Sequence, residues 1–95
     1  MAERINREKD INELYDLILS LSSREDCKLL FEDLCTFKEV EQMSQRLKAA
    51  KLLLEGCTYN KIMEETDISS ATLSRVSRCV QYGEGYKTFL RCSKI

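Results

Sequence analysis

Ninety-five residues make one small domain, and 15 basic against 16 acidic side chains leave the chain nearly neutral. Histidine is absent, the five cysteines (Cys27, Cys35, Cys57, Cys79, Cys92) show no CxxC spacing, and no glycine-rich phosphate loop occurs. Metal sites and catalytic chemistry therefore have no candidate residues, and the cysteines read as reduced thiols packed as small apolar groups in a cytosol.

Proline is missing, glycine is limited to Gly56, Gly83 and Gly85, and Leu, Lys and Glu are plentiful. This predicts an all-α fold of about six helices. No apolar run reaches membrane-spanning length, and MAERINREKD is no signal peptide. The charge is uneven: residues 1–56 carry 9 basic and 12 acidic groups, residues 57–95 carry 6 and 4. The second part is thus net +2 and the first net −3, a mild asymmetry that favours an anionic partner for the C-terminal half.

From about Asn6 to Leu21, Ile11, Leu14, Tyr15, Ile18 and Leu21 form one helical stripe, widened by Ile5, Leu17 and Leu19. That is more apolar surface than a free helix tolerates. It belongs either to the chain's own core or against a second copy. Ser22-x-x-Glu25 has the form of a capping box and opens a second helix running to about Cys35, with Cys27, Leu30, Phe31 and Leu34 on one face. Thr36-x-x-Glu39 is another, opening the longest helix from Phe37 to Gly56. Val40, Met43, Leu47, Ala50 and Leu54 are its expected inner stripe, broadened by Leu52 and Leu53.

Thr58 to Tyr82 reads as helix, tight turn and helix. Thr58 caps the first helix, which has Ile62 and Met63 on its apolar face. Asp67 holds a turn position that favours left-handed dihedrals, which aspartate tolerates, and Ile68 plugs the angle between the helices. Ser69 or Ser70 caps the second helix, and Leu73, Val76 and Val80 line its inner face. Its other faces carry Ser70, Thr72, Ser74, Arg75, Ser77 and Arg78, with no acid from Ser69 to Gln81. A slim, hydroxyl-rich, positive helix suits the major groove. The bland alternative is a helical pair inside a bundle, with Arg75 and Arg78 on a solvated face. After Gly83 a last helix from about Glu84 to Arg91 is expected, with Tyr82, Tyr86 and Phe89 packed in the core.

TFKEVEQMSQRLKAAKLLLEGCTY, ATLSR and RCVQYGEGY carry a resemblance to the Trp repressor family, in particular to its branch of small Trp-repressor-like regulators of firmicutes. The resemblance is close over about half the chain, Thr36 to Gly83. It implies an intertwined homodimer, with residues 1–56 supplying dimerisation helices, 58–82 the helix-turn-helix and 84–91 the C-terminal helix. Two reading heads would then lie about one DNA turn, roughly 34 Å, apart.

Carried over position by position, Ser70, Ala71 and Thr72 fall where the family meets bases, and Tyr59, Asn60 and Lys61 where it meets phosphates. Ser69, Ser74, Arg75 and Arg78 complete the implied DNA surface. Arg46 and Arg75 match the arginines that flank the family's ligand, L-tryptophan, and Thr36 matches the nearby threonine. For Arg46 the alternative is a solvated side chain loosely paired with Glu39. Two positions depart from the pattern: Val76 replaces a glycine, where its side chain would invade the indole pocket, and Cys79 replaces a serine that holds the amino group. Tryptophan binding is accordingly expected to be lost or changed. The function implied is a cytoplasmic, sequence-specific regulator that binds double-stranded DNA, possesses no enzymatic activity and is controlled, if at all, by a small aromatic amino-acid-like ligand. The competing class is a helical adaptor that binds another protein through the same scaffold.

Overall fold

The computed structural model describes residues 5–90. Cys92 and Arg91, the expected end of the last helix, lie outside them. Six helices follow one another: α1 (Arg7–Leu19), α2 (Arg24–Leu34), α3 (Phe37–Leu54), α4 (Tyr59–Glu65), α5 (Ser70–Tyr82) and α6 (Gly85–Phe89). No strand occurs among the described residues. The chain forms two compact units that divide between Thr36 and Phe37.

The N-terminal unit holds α1 and α2. Asn6 starts α1: its side-chain oxygen accepts the Lys9 N–H at 3.1 Å, and Glu8 and Asp10 complement the positive end of the helix. Lys9 and Glu13 pair one turn apart at 2.7 Å, which holds the ammonium pKa above its ordinary value. The capping box of α2 sits one residue later than Ser22-x-x-Glu25 suggests. Ser23 is the cap, accepting the Asp26 N–H at 3.0 Å, and the Asp26 carboxylate accepts the Ser22 N–H at 3.0 Å and its hydroxyl at 3.1 Å. The shorter aspartate reaches back one residue further than the pattern assumed. Neither helix buries a residue; Ile11, Leu14, Tyr15, Leu17, Ile18 and Leu19 are all exposed.

The C-terminal unit is built on α3, which packs against α4, α5 and α6, while α5 also packs against α6. Its core is Ala49, Ala50, Ile62, Leu73 and Val76, with Leu52, Leu53, Cys57, Ile68, Val80, Tyr86 and Leu90 packed around them. The buried side of α3 is therefore rotated from the expected stripe. Ala49 and Ala50 face inward, while Leu47 is exposed and Val40, Met43 and Leu54 are half-buried. Adjacent alanines permit close packing of a neighbouring helix, and both are fully buried while Leu47 is exposed.

α3 ends as its glycine implies. Gly56 has φ +89°, Gly56 N–H donates to Leu53 O and Cys57 N–H to Leu52 O, both at 3.0 Å. That is a Schellman closure, and it turns Cys57 onto the core beside Leu52. Gly83 serves differently. It is not left-handed; its N–H donates to Cys79 O at 2.8 Å, and a β-carbon built there would stand 2.7 Å from that carbonyl oxygen. Close approach, not a positive φ, is what calls for glycine at the end of α5.

Four expected core positions lie outside. Met63 is exposed because Ile62 alone takes the buried side of the seven-residue α4. Tyr82, 79% exposed, lies off the line of Leu73, Val76 and Val80. Phe89, 83% exposed, yields the inner face of α6 to Tyr86 and Leu90, which are one turn apart. Leu47 is the fourth.

Candidate nucleic-acid interface

Thr58 begins α4 by accepting the Lys61 N–H at 3.2 Å on its hydroxyl. Thr66 ends it, its N–H and hydroxyl both donating to Ile62 O, at 2.9 and 2.8 Å. The link to α5 is extended: Thr66 has φ −126°, ψ 171°, and Ser69 φ −78°, ψ 164°. No described residue other than glycine has a positive φ, so Asp67 does not adopt the left-handed conformation expected of it. Four linking residues, Thr66 to Ser69, turn the chain without one. Ile68 is half-buried against the core, as a plug between the helices should be.

Ser69, not Ser70, caps α5. Its Oγ accepts the Thr72 N–H at 3.1 Å and donates to Thr72 Oγ1 at 3.1 Å. Two links with one residue fix the first turn of the helix and hold the Thr72 hydroxyl at its tip. Leu73, Val76 and Val80 turn inward. Ser77, expected on an outer face, is buried beside them at 8% exposure, completing a stripe of three- and four-residue steps. The opposite side is left to Ser70, Ala71, Ser74, Arg75 and Arg78, all exposed.

Of the ten residues expected to meet DNA, nine are exposed and Thr72 is half-buried. Tyr59, Asn60 and Lys61 occupy the first turn of α4, and Ser69 to Arg78 the first three turns of α5. Lys61 is paired with Glu65 at 3.2 Å, which raises its pKa above the ordinary lysine value. An exposed pair of this kind opens readily, so the ammonium stays available to an anion.

Sequence reasoning missed the support behind this surface. Gln45 Oε1, on α3, accepts the Asp67 N–H in the turn at 3.0 Å. One pocket of ≈ 330 Å³ is lined by Lys38, Glu41, Gln42, Gln45, Asp67 and Ile68, and another of ≈ 320 Å³ by Gln42, Arg46, Asp67, Ile68, Ser69 and Thr72. The only advance signal was that Gln42, Gln45 and Arg46 share a polar helix face at three- and four-residue spacing.

The ligand set expected from the resemblance is divided. Arg46 is half-buried and lines the second pocket beside Ser69 and Thr72; Arg75 is exposed and is not among its lining residues. Thr36 closes the N-terminal unit, while the two arginines belong to the C-terminal one. Val76 is a core residue, 2% exposed. Cys79 is exposed. Among the described residues, no group of three His, Cys, Asp or Glu side chains could hold a metal ion.

This arrangement, a capped short helix, a plugged turn and a capped acid-free helix over a long third helix, matches a known family. The family model for the Trp repressor protein matches residues 9–94. The chain belongs to the Trp repressor family. Its likeness to the uncharacterized protein YerC of Bacillus subtilis (strain 168) is 49% identity over 77 residues, 81% of this chain and 74% of that protein. A solved structure provisionally described as a Trp repressor, from Staphylococcus aureus, superposes with TM-score 0.80 at 42% identity, over 92% of this chain and 91% of the other. A TrpR-like protein from Eubacterium eligens ATCC 27750 gives TM-score 0.78 at 40% identity, over 84% and 86%. The Trp repressor fold is thereby shared, and with it membership of a family of DNA-binding regulators. No helix among the described residues is long and apolar enough to cross a membrane.

Proposed function

We infer that this protein is a homodimeric, cytoplasmic, sequence-specific transcriptional regulator that places α5 in the major groove of double-stranded DNA. The observation that carries this reading is the outer face of α5: Ser70, Ala71, Ser74, Arg75 and Arg78 are all exposed on a capped helix without an acid. Arg75 and Arg78, with Tyr59, Asn60 and Lys61 of α4, fix register on phosphates. Ser70, Ala71, Thr72 and Ser74 meet base edges directly or through water. The exposed apolar stripe of α1 supports the dimer, because a lone chain leaves Ile11, Leu14, Leu17 and Ile18 in water.

Tryptophan is not the controlling ligand in this reading. Cys79, exposed on α5, offers a poor hydrogen-bond partner where the family's pattern has a serine. Binding is constitutive or answers to a related ligand held by Arg46.

The test is capture of sheared genomic DNA by the purified protein at two salt concentrations, with and without L-tryptophan. Enrichment of a palindromic site, weakening steeply with salt and indifferent to tryptophan, is the expected result. Tryptophan dependence would overturn the ligand reading alone. No enrichment at low salt would overturn DNA binding in favour of a protein-binding adaptor.

A further inference from the structure

The geometry points to Gln45 as a positioning residue for α5, through a latch on the turn that precedes it; this rests on the DNA-binding role proposed above. Gln45 lies on α3, is half-buried, and accepts the Asp67 N–H at 3.0 Å across 22 residues of sequence. The donor is a backbone N–H, so the side-chain oxygen, not the amide nitrogen, must face it.

Three consecutive residues in the turn are then held by different means. Asp67 is tied to α3 by its N–H, Ile68 is packed against the core, and Ser69 caps α5 and is linked twice to Thr72. Take away the first and the turn keeps its apolar plug but gains freedom to swing about it. The swing is delivered directly to Ser69 and Thr72, at the tip of the reading helix. Gln42 lines both flanking pockets with Asp67 and Ile68, so recesses lie on both sides of the turn beside its Ile68 plug.

A single exposed hydrogen bond of this type changes local opening by about five-fold. Its loss falls on site-specific binding, which needs Ser70 and Thr72 in register, rather than on phosphate attraction, which tolerates small displacement.

The experiment compares Gln45→Leu, which keeps an aliphatic stem and loses the acceptor, with Gln45→Glu, which keeps an acceptor. Two quantities are measured on the full chain: amide hydrogen exchange by NMR, and the ratio of affinities for a duplex selected from a random-sequence library and for an unrelated duplex. In Gln45→Leu, Asp67 exchange should quicken about five-fold and the affinity ratio should fall by a similar factor, with amides of α3 and of α5 beyond Thr72 unchanged. In Gln45→Glu, Asp67 exchange should stay near the wild-type rate. Unchanged Asp67 exchange in Gln45→Leu overturns the latch. Faster exchange with an unchanged ratio overturns the positioning role, and acceleration throughout α3–α6 reduces Gln45 to a structural residue. A wild-type protein that selects no duplex defeats the DNA reading, and the positioning role with it, while the exchange data still judge the hydrogen bond.

Discussion

Thr72 carries both a structural tie and the recognition role proposed for it. Its N–H and its hydroxyl are both engaged by Ser69, and it stands third in α5 counted from that cap. Glutamate at this position completes a capping box with Ser69, so Thr72→Glu should leave the melting temperature unchanged or raised. The same carboxylate would face phosphates. Affinity for the selected site should fall at least about 100-fold, measured by fluorescence anisotropy. Full affinity in this variant would mean that α5 does not enter the groove. Asp26 offers a second test at this scale. The Ser22 N–H, then the Ser22 hydroxyl, hold its carboxylate pKa below the ordinary value. A depressed folded pKa stabilises the protein above the unfolded value, and that contribution is lost as pH falls through the folded one. An NMR titration should place the Asp26 midpoint below that of an unstructured aspartate, and Ser22→Ala should move it upward.

At the scale of the element, α5 depends on its cap and on two fully buried side chains, its own Leu73 and Ile62 of α4. Ser69→Ala should cost about 1 kcal/mol in urea unfolding, by releasing the Thr72 N–H. Leu73→Ala should cost about 2–5 kcal/mol, since it opens a cavity between α3 and α5. Much of this was legible in the sequence. The 73, 76, 80 spacing, the Thr58 cap, a serine cap at Ser69 or Ser70 and the Gly56 closure follow from local chemistry that acts within a turn or two. The inward Ser77 was not legible, because steps of three and four from Leu73 fit either neighbour and polarity favoured Val76. Nor was the rotation of α3, since Ala49 and Leu47 compete for the inner face and only the partner helix decides. Gln45 was invisible for the same reason: its acceptor role exists only once the turn is folded onto α3.

For the whole molecule, the candidate DNA surface was legible as residue types, and the structure exposes nearly all of it. The division at Thr36 was not legible, because capping signals look alike inside a domain and between units. Truncation of residues 1–21 should yield an unfolded or aggregating chain rather than a stable monomer, measured by circular dichroism and light scattering. A soluble, folded monomer would count against a dimer built through α1. Salt tests the charge distribution: affinity should fall linearly on logarithmic axes, with slope about −0.9 for each phosphate engaged by a cation such as Lys61, Arg75 or Arg78.

Ala49 and Ala50, both fully buried where α3 meets α5, act as a spacer gauge. Their small side chains set how far α5, the helix proposed to enter the groove, stands from its support. One or two heavy atoms added at either position would lift or tilt α5 as a body. New operator preferences could then arise from within the core, with every DNA-facing side chain unaltered. Ala50→Ser or Ala49→Val would be the substitutions in which to look for that shift.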